Sequence, residues 1–439
     1  MIFLFFNLIA FLILIISIRN ISLGYSLCVA SFFAVPLDVR VGVSNMSMAF
    51  SSFLSMSLFL LCCIKKGNYK SIFSNNFAKI TLVWLLITSI IGLIPGEAGI
   101  SFSVKAIYYL VRDFFFIIAG LSVFSDKVQI GKFYKYIFIE LLVVCIYGIF
   151  EYILGTNPYI DLITSSFGTH EGVVDIYKND VRGFINGRVQ GFSWHPLTHG
   201  QLMQVGLFLV LVWKNKIKRE IYFFLVCLLL INILLCGSRS ALLATLLFFL
   251  FSFPSKTRIS VLKISFLVAI FIFFIIGEEK RIEIIDTLKS LIFFWDEDVS
   301  NSIKGSSLQM RLGQLELAYS EVKSNLLFGH GIGYVVELQS TFDVTDGLYG
   351  YESIFLYKVT EIGLAGFFVY IVWYYKAYRI IYNSVKGIKD INSNGVKYLF
   401  YAYFVNLMMT GDMSTQTIVF ASVIPILSYG NIKNKKTES

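Results

Sequence analysis

The sequence has few charged residues: 15% of its 439 positions are Asp, Glu, Lys or Arg, whereas 56% are hydrophobic. A soluble domain of this composition has too little polar surface to cover its apolar residues. The apolar runs are continuous and lack the alternating ten-residue pattern of barrel strands. Many reach the roughly 17–25 residues that a helix needs to cross a bilayer. The sequence therefore predicts an all-α polytopic membrane protein, because a helix satisfies its own backbone in lipid.

Cysteine is scarce, and its positions do not suit structural disulfides or metal sites. All six cysteines lie in or at the ends of apolar runs: Cys28, Cys62, Cys63, Cys145, Cys227 and Cys236. This placement indicates neither a disulfide framework nor a zinc knuckle. The apolar stretch 1–20 has no basic n-region and no small-residue cleavage site, so we expect a retained helix rather than a cleaved signal.

The formal net charge of +9 is interpreted as the positive-inside bias of short cytoplasmic loops rather than as a nucleic-acid surface. Placing every basic connection in the cytoplasm gives one alternation, with 155–196 and 278–351 as two long outward-facing loops. We expect about 12–14 transmembrane helices in a single membrane domain, residues 1–439. The apolar runs lie at 2–18, 21–36, 46–64, 78–95, 104–123, 136–154, 197–213, 221–236, 240–253, 259–277, 352–374, 397–411 and 414–429.

The first long loop ends in "DVRGFINGRVQGFSWHPLTHGQLM". Its glycines suit irregular backbone, and Pro196 suits the first turn of a helix. His195 and His199 are four residues apart and can share a helix face. There is no HExxH frame and no third ligand, so we favour a helix-capping histidine pair over a metal site.

Several cations lie where the positive-inside rule does not require them: Arg182, Arg188, Arg311 and Lys323. Arg239 is a further case, because "CGSRSALLATLLFFLF" places it in a tight turn between two apolar runs. Arginine binds phosphate bidentately and stays charged when partly dehydrated. We interpret Arg239 as a phosphate ligand, and snorkelling to lipid headgroups is the alternative.

The second long loop contains "SSLQMRLGQLELAYSEVKSNLLFGHGIG". One apolar face recurs at helical spacing and predicts an amphipathic helix on the bundle or on the membrane surface. Its members are Leu308, Leu312, Leu315, Tyr319 and Val322. The "GHGIG" that includes His330 follows a helix and lacks the GxGxxG spacing, so it predicts a turn re-entering the membrane rather than a nucleotide loop.

Two apolar segments carry ionisable residues. Glu352 begins a predicted transmembrane helix that also contains Glu361, and an ionisable residue inside a span is a candidate functional residue. A partnered structural carboxylate is the alternative for Glu361. Lys105 and Arg112 form a basic stripe that suits an anionic headgroup, with an interhelical salt bridge as the alternative. Asp113, next to Arg112, is not expected to face it.

Four motifs, in this order, resemble the O-antigen ligase/polymerase family of bacterial envelope glycosyltransferases. They are Arg188 with "GFSWHP", "GSRSA" (237–241), "R…L…A…S…NLLFGHGIG" (311–333) and "ESIFLYKVTEIGLAG" (352–366). The resemblance covers about residues 180–375. In the ligase branch the last motif is His, then Asn, Ser or Gln, nine residues, and Gly-x-x-Gly. Here Ser353, Gly363 and Gly366 fit, but Glu352 takes the histidine position, which favours the polymerase branch.

The resemblance implies a glycosyltransferase without metal or other cofactor, at the outer face of the bacterial cytoplasmic membrane. Its partners would be undecaprenyl-pyrophosphate-linked oligosaccharide and membrane lipids, with room for a chain-length regulator and no role for nucleic acid. Arg188, Arg239 and Arg311 would stabilise the pyrophosphate leaving group. Glu352 would act as general base on the acceptor hydroxyl. Further candidate contacts to pyrophosphate or glycan are Arg182, His195, His199, His330, Lys105, Arg112, Trp194, Tyr349 and Tyr351.

Two other functions stay open. A ligase would move finished glycan to lipid A or another acceptor. A flippase or transporter would move the lipid-linked glycan without chemistry, but transporters typically contain internal repeats and broken midplane helices, and no repeat is evident here.

Overall fold

The computed structural model describes residues 2–36, 39–43, 46–66, 73, 75–167, 187–252, 308–341, 351–412 and 414–438. The predicted span 259–277 lies outside these residues, as do Arg182, Tyr349 and most of both long loops.

The described part of the chain is a helical bundle with one short hairpin. Its elements are α1 Ile2–Arg19, α2 Ile21–Ala34, β1 Arg40–Val43, β2 Met46–Ala49, α3 Phe50–Lys66, α4 Asn76–Leu93, α5 Ile100–Val123, α6 Lys127–Leu154, α7 Pro158–Phe167, α8 Pro196–Val212, α9 Arg219–Leu235, α10 Arg239–Phe251, α11 Leu308–Val322, α12 Tyr334–Thr341, α13 Ile354–Val385, α14 Ser393–Thr410 and α15 Gln416–Glu438. The predicted apolar runs within the described ranges correspond to these helices.

The helices are built for a membrane. Five of those described, α1, α4, α5, α6 and α13, are long and apolar enough to span a bilayer, and five more are shorter apolar helices. Large apolar side chains point outward, as on α1, where Leu4, Phe11 and Ile15 are 62%, 55% and 51% exposed. Water would penalise so continuous an apolar exterior, whereas lipid does not. These features confirm the prediction of an all-α membrane protein.

One predicted run is wrong at its start. Residues 46–64 were expected to be helical throughout, but the chain forms the antiparallel β1–β2 hairpin before α3 begins at Phe50. The hairpin is tied to α1, because Gly42 N–H donates to Asn7 Oδ1 at 3.0 Å. Such a contact across 35 residues leaves no trace in local hydropathy.

Helix α8 is the centre of the bundle, with nearly all of its residues buried. Polar side chains link it to its neighbours. Gln204 Nε2 donates to Thr245 Oγ1 of α10 at 3.0 Å, and Gln204 Oε1 accepts from Asn406 Nδ2 of α14 at 3.0 Å. Gln201 Oε1 accepts from the Thr415 hydroxyl at 2.7 Å. Interhelical hydrogen bonds of this kind fix which helices are adjacent in an apolar surrounding.

Helix α13 is interrupted at Gly363, which has φ 65° and ψ −175°. The segment between α11 and α12, residues 325–333, lies against the break and is called the glycine loop. His330 N–H of this loop donates to the Thr360 carbonyl at 2.9 Å, and the Leu326 carbonyl accepts from Leu364 N–H at 3.0 Å. The loop thus satisfies backbone groups that the interrupted helix leaves unpaired.

Candidate functional site

Four helices, α8, α10, α13 and α15, begin close together, and we call this region the site end of the bundle. Gln201 in the first turns of α8 donates to the Gly411 carbonyl, just before α15, at 2.9 Å. An added Cβ on Gly411 would lie 3.5 Å from the Tyr351 carbonyl oxygen, just before α13. Gly200 of α8 packs against Ser238, which precedes α10.

Each of these four helices has a capped N-terminus. His195 Nδ1 accepts from Leu197 N–H at 3.0 Å, which bears out the predicted capping role for His195. The same prediction is wrong for His199, which lies inside α8 and bonds Asn232 instead. Ser238, Ser353 and Asp412 accept from N–H groups at the starts of α10, α13 and α15. A helix N-terminus carries roughly half a positive charge, so four together favour an anion at this end.

Arg188 and the turn before Arg239 are in direct contact. Arg188 is 5% exposed, and its Nε donates to the Cys236 carbonyl at 2.9 Å. The next residue continues the contact, with Val189 N–H donating to the Leu235 carbonyl at 3.1 Å. Arg239 is half-buried and is the first residue of α10. Two arginines distant in sequence therefore lie on adjoining pieces of backbone at the site end.

A carboxylate holds the backbone after Arg188. Glu151, in the last turn of α6, accepts from Gln190 N–H at 2.9 Å and from Gly191 N–H at 2.7 Å. Asn157 Nδ2 donates to the Gly191 carbonyl at 2.8 Å. These bonds fix residues 187–195, which we call the Arg188 segment. Sequence reasoning missed Glu151. The feature of the sequence that could have identified it is an acidic residue at a helix C-terminus, where the helix dipole disfavours negative charge.

Glu352 lies directly before α13 and next to α11. Its N–H donates to Gln314 Oε1 at 3.0 Å, and Gln314 is buried. Ser353, the following residue, donates through Oγ to the Met408 carbonyl at 2.7 Å. Arg311 is on α11, three residues before Gln314. Gln314 was not predicted as a site residue, yet it joins the two elements that carry Arg311 and Glu352.

His330 uses both ring nitrogens within the protein. Nε2 donates to the Glu321 carbonyl at 2.7 Å, and Nδ1 bonds the Glu97 carboxylate. Both partners are acceptors, so the geometry requires the charged imidazolium. Burial lowers the pKa of His330, but the bonds to both glutamates and their negative charges outweigh it, so the pKa is above its ordinary 6.5. His330 thereby fastens the glycine loop rather than presenting a ring nitrogen to a ligand.

Three further candidate residues, His199, Trp194 and Tyr351, are buried or half-buried. His199 is fully buried, with Nε2 at 3.2 Å from Asn232 Oδ1. Its ring packs so closely against Gly191 of the Arg188 segment that an added Cβ there would overlap Nδ1. Trp194 is half-buried against the apolar core. Tyr351 is half-buried, and burial raises the pKa of its hydroxyl. His199 thus supports the segment from beneath.

The expectation that Arg112 and Asp113 do not face each other is wrong. Arg112 Nη2 lies 2.5 Å from Asp113 Oδ1, and Nη1 also bonds the Ser52 hydroxyl. The long arginine chain curls back, so adjacency on a helix does not prevent the pair. Lys105 is exposed, with Nζ 5.9 Å from the Tyr109 ring. Arg112 is thus held by an ion pair within α5, not by one between helices.

Among the described members of the apolar face of α11, Val322 is buried, at 7% exposed, and the others are not. Leu312, Leu315 and Tyr319 are 46%, 50% and 69% exposed, whereas Gln314 and Ala318 are buried. The buried Gln314, Ala318 and Val322 place this helix against the bundle, and its exposed leucines are those that a membrane surface would cover. Their neighbours in the glycine loop, Leu326 and Leu327, are also exposed.

Comparison with protein-family models finds no match, and no curated protein is significantly similar to the chain. Among the described residues, no group of three or more His, Cys, Asp or Glu side chains is arranged to hold a metal ion.

Proposed function

We propose that the chain is a glycosyltransferase that polymerises lipid-linked oligosaccharide repeats, such as those of O-antigen or capsule. In this proposal it crosses a bacterial cytoplasmic membrane about 12–14 times, as many as the apolar runs allow. The site end faces outward, where nucleotide sugars are absent. The activated donor is then a glycan on undecaprenyl pyrophosphate.

The contact between the Arg188 segment and the turn before Arg239 carries the proposal. It joins two arginines to the starts of four helices, at one end of a membrane bundle. A pyrophosphate at the membrane surface is a multiply charged anion beside an apolar phase. Arginine forks and helix N-termini are the groups that bind such an anion.

The chemistry follows from the charge that develops. As the acceptor hydroxyl attacks the anomeric carbon, the bond to pyrophosphate breaks and negative charge grows on the leaving oxygen. Arg188, Arg239 and Arg311 stabilise that charge, while Glu352 takes the hydroxyl proton. Direct attack inverts the anomeric centre. Trp194, Tyr349 and Tyr351 offer aromatic faces for the sugars.

The test replaces Arg188, Arg239 or Arg311 with Ala in source cells that lack the native gene. We expect each variant to reduce long glycan by roughly 10²–10³-fold, the effect of losing one donor to a developing anion. Arg379→Ala is the matched control, because Arg379 is exposed near the other end of α13 and contacts Tyr375. Glu352→Gln tests the base. Glycan length is measured on gels, and protein level by immunoblot.

The lipid-linked intermediates identify the reaction. Loss of polymer with single lipid-linked repeats on the outer leaflet supports polymerase. Accumulated lipid-linked polymer indicates ligase, and repeats retained on the cytoplasmic leaflet indicate flippase. Normal glycan lengths in all three arginine variants, at normal protein level, would contradict the proposal.

A further inference from the structure

Glu151 is a buried carboxylate in a place that does not favour one. It is 6% exposed and lies in the last turn of α6, where the negative end of the helix dipole opposes its charge. Its two oxygens each accept one of two consecutive backbone N–H groups, from Gln190 at 2.9 Å and Gly191 at 2.7 Å. A local role within α6 needs neither contact.

The two bonds lie directly after Arg188 in the chain. On the other side of the segment, Arg188 and Val189 bond the end of α9 through the carbonyls of Cys236 and Leu235. Gly191 has φ 59° and lies against the His199 ring. The backbone that carries Arg188 is therefore held between α6 and α9, and Glu151 supplies the α6 side.

Hydrogen-bond capacity, rather than size, suits Glu151 to this task. A carboxylate has only acceptor oxygens, so it can receive both N–H groups at once. Glutamine has nearly the same shape but one acceptor, and its NH₂ would meet a second N–H. Replacing the carboxylate thus leaves a buried backbone donor unpaired, and the segment must shift to find another partner.

We propose that Glu151 is a positioning residue that holds Arg188 in place for the anionic leaving group. This inference rests on the function proposed above for Arg188. Glu151, at the C-terminal end of α6, would then affect the reaction without contacting the substrate.

The test compares Glu151→Gln with Glu140→Gln, a second half-buried glutamate on α6. Hydrogen exchange of the purified protein reads residues 187–194 directly. We expect roughly tenfold faster exchange in Glu151→Gln, because one of the two bonded amides loses its acceptor and the segment shifts, and no change in Glu140→Gln. Glycan polymer in cells should fall by about 10–100-fold, the cost of displacing a reacting group by about 1 Å. In an Arg188→Lys background the same substitution should lower polymer less, because both act through one group.

The outcomes separate the two proposals. Unchanged exchange in Glu151→Gln overturns the contact, and faster exchange with normal polymer overturns the positioning role. A normal glycan in Arg188→Ala contradicts the proposed function and removes the purpose of positioning, whatever Glu151→Gln does. If Glu151→Gln fails to accumulate, Glu151→Asp takes its place, because the shorter side chain keeps both acceptor oxygens but withdraws them from Gln190 and Gly191, and the same measurements apply.

Discussion

Replacing Gly363 with Ala should destabilise the protein through both backbone strain and a clash. With φ 65° and ψ −175°, Gly363 occupies a region that is essentially restricted to glycine, at a cost of about 1–3 kcal/mol for other residues. Its added Cβ would overlap the Leu327 carbonyl oxygen. That oxygen accepts from Ala365 N–H at 3.1 Å, and the neighbouring Leu326 carbonyl accepts from Leu364. Losing these bonds adds about 0.5–1.5 kcal/mol each.

The expected total loss of stability is about 2–6 kcal/mol. Substitutions at two other glycines separate the contribution of backbone strain from that of the clash. Gly387 has φ 83° and nothing within 4 Å of an added Cβ, so Gly387→Ala carries strain without a clash. Gly131 is helical and equally open, so Gly131→Ala should be neutral or gain up to about 1 kcal/mol. The assay is the apparent melting temperature in detergent at one heating rate, with intrinsic tryptophan fluorescence as the signal. Equal melting temperatures for Gly363→Ala and Gly387→Ala would refute the clash.

Two further predictions concern polar contacts away from the arginines. The folded-state pKa of His330 lies above 6.5, so its bond to Glu97 stabilises the fold fully below about pH 6.5 and is lost as pH rises through the folded pKa. His330→Gln should therefore lower the free energy of unfolding by about 0.5–1 kcal/mol at pH 6 and by little at pH 9; the effect is small because half-exposed Glu97 is screened by solvent. The measurement is the melting temperature as a function of pH, and a loss that does not depend on pH would contradict the prediction. Gln204→Leu should cost about 1–3 kcal/mol by leaving Asn406 Nδ2 buried without its acceptor, and a melting temperature equal to that of the wild type would show that the amide finds another partner.

Helix positions could be predicted from the sequence because lipid imposes a length and a composition. The runs 197–213 and 221–236 match α8 and α9 to within two residues at either end. Hydropathy does not say which helices are neighbours, so the central place of α8 was not predicted. Its polar residues, such as Gln204, were the available signal, since a lipid-facing helix has no use for them.

The candidate site also contains residues that the sequence predicts and residues that only the structure reveals. Chemistry in the sequence singled out Arg188 and Arg239, and the structure brings their backbone segments together. The supporting residues Glu151 and Gln314 act through single hydrogen bonds to backbone far away in sequence. No periodicity marks such contacts. The interruption of α13 at Gly363 was likewise hidden, because its unpaired groups bond a loop well before it in the chain.

The exposed leucines of α11 have a consequence for how the activity of the proposed site should be measured. The helix that carries Arg311 turns Leu312 and Leu315 outward while Gln314 faces Glu352. If the bilayer covers these leucines, acyl chains would pack on one side of α11, whose other side touches the proposed general base. Detergent would then replace the lipid around α11, the helix that carries Arg311. Activity should therefore be compared across lipid compositions as well as across variants.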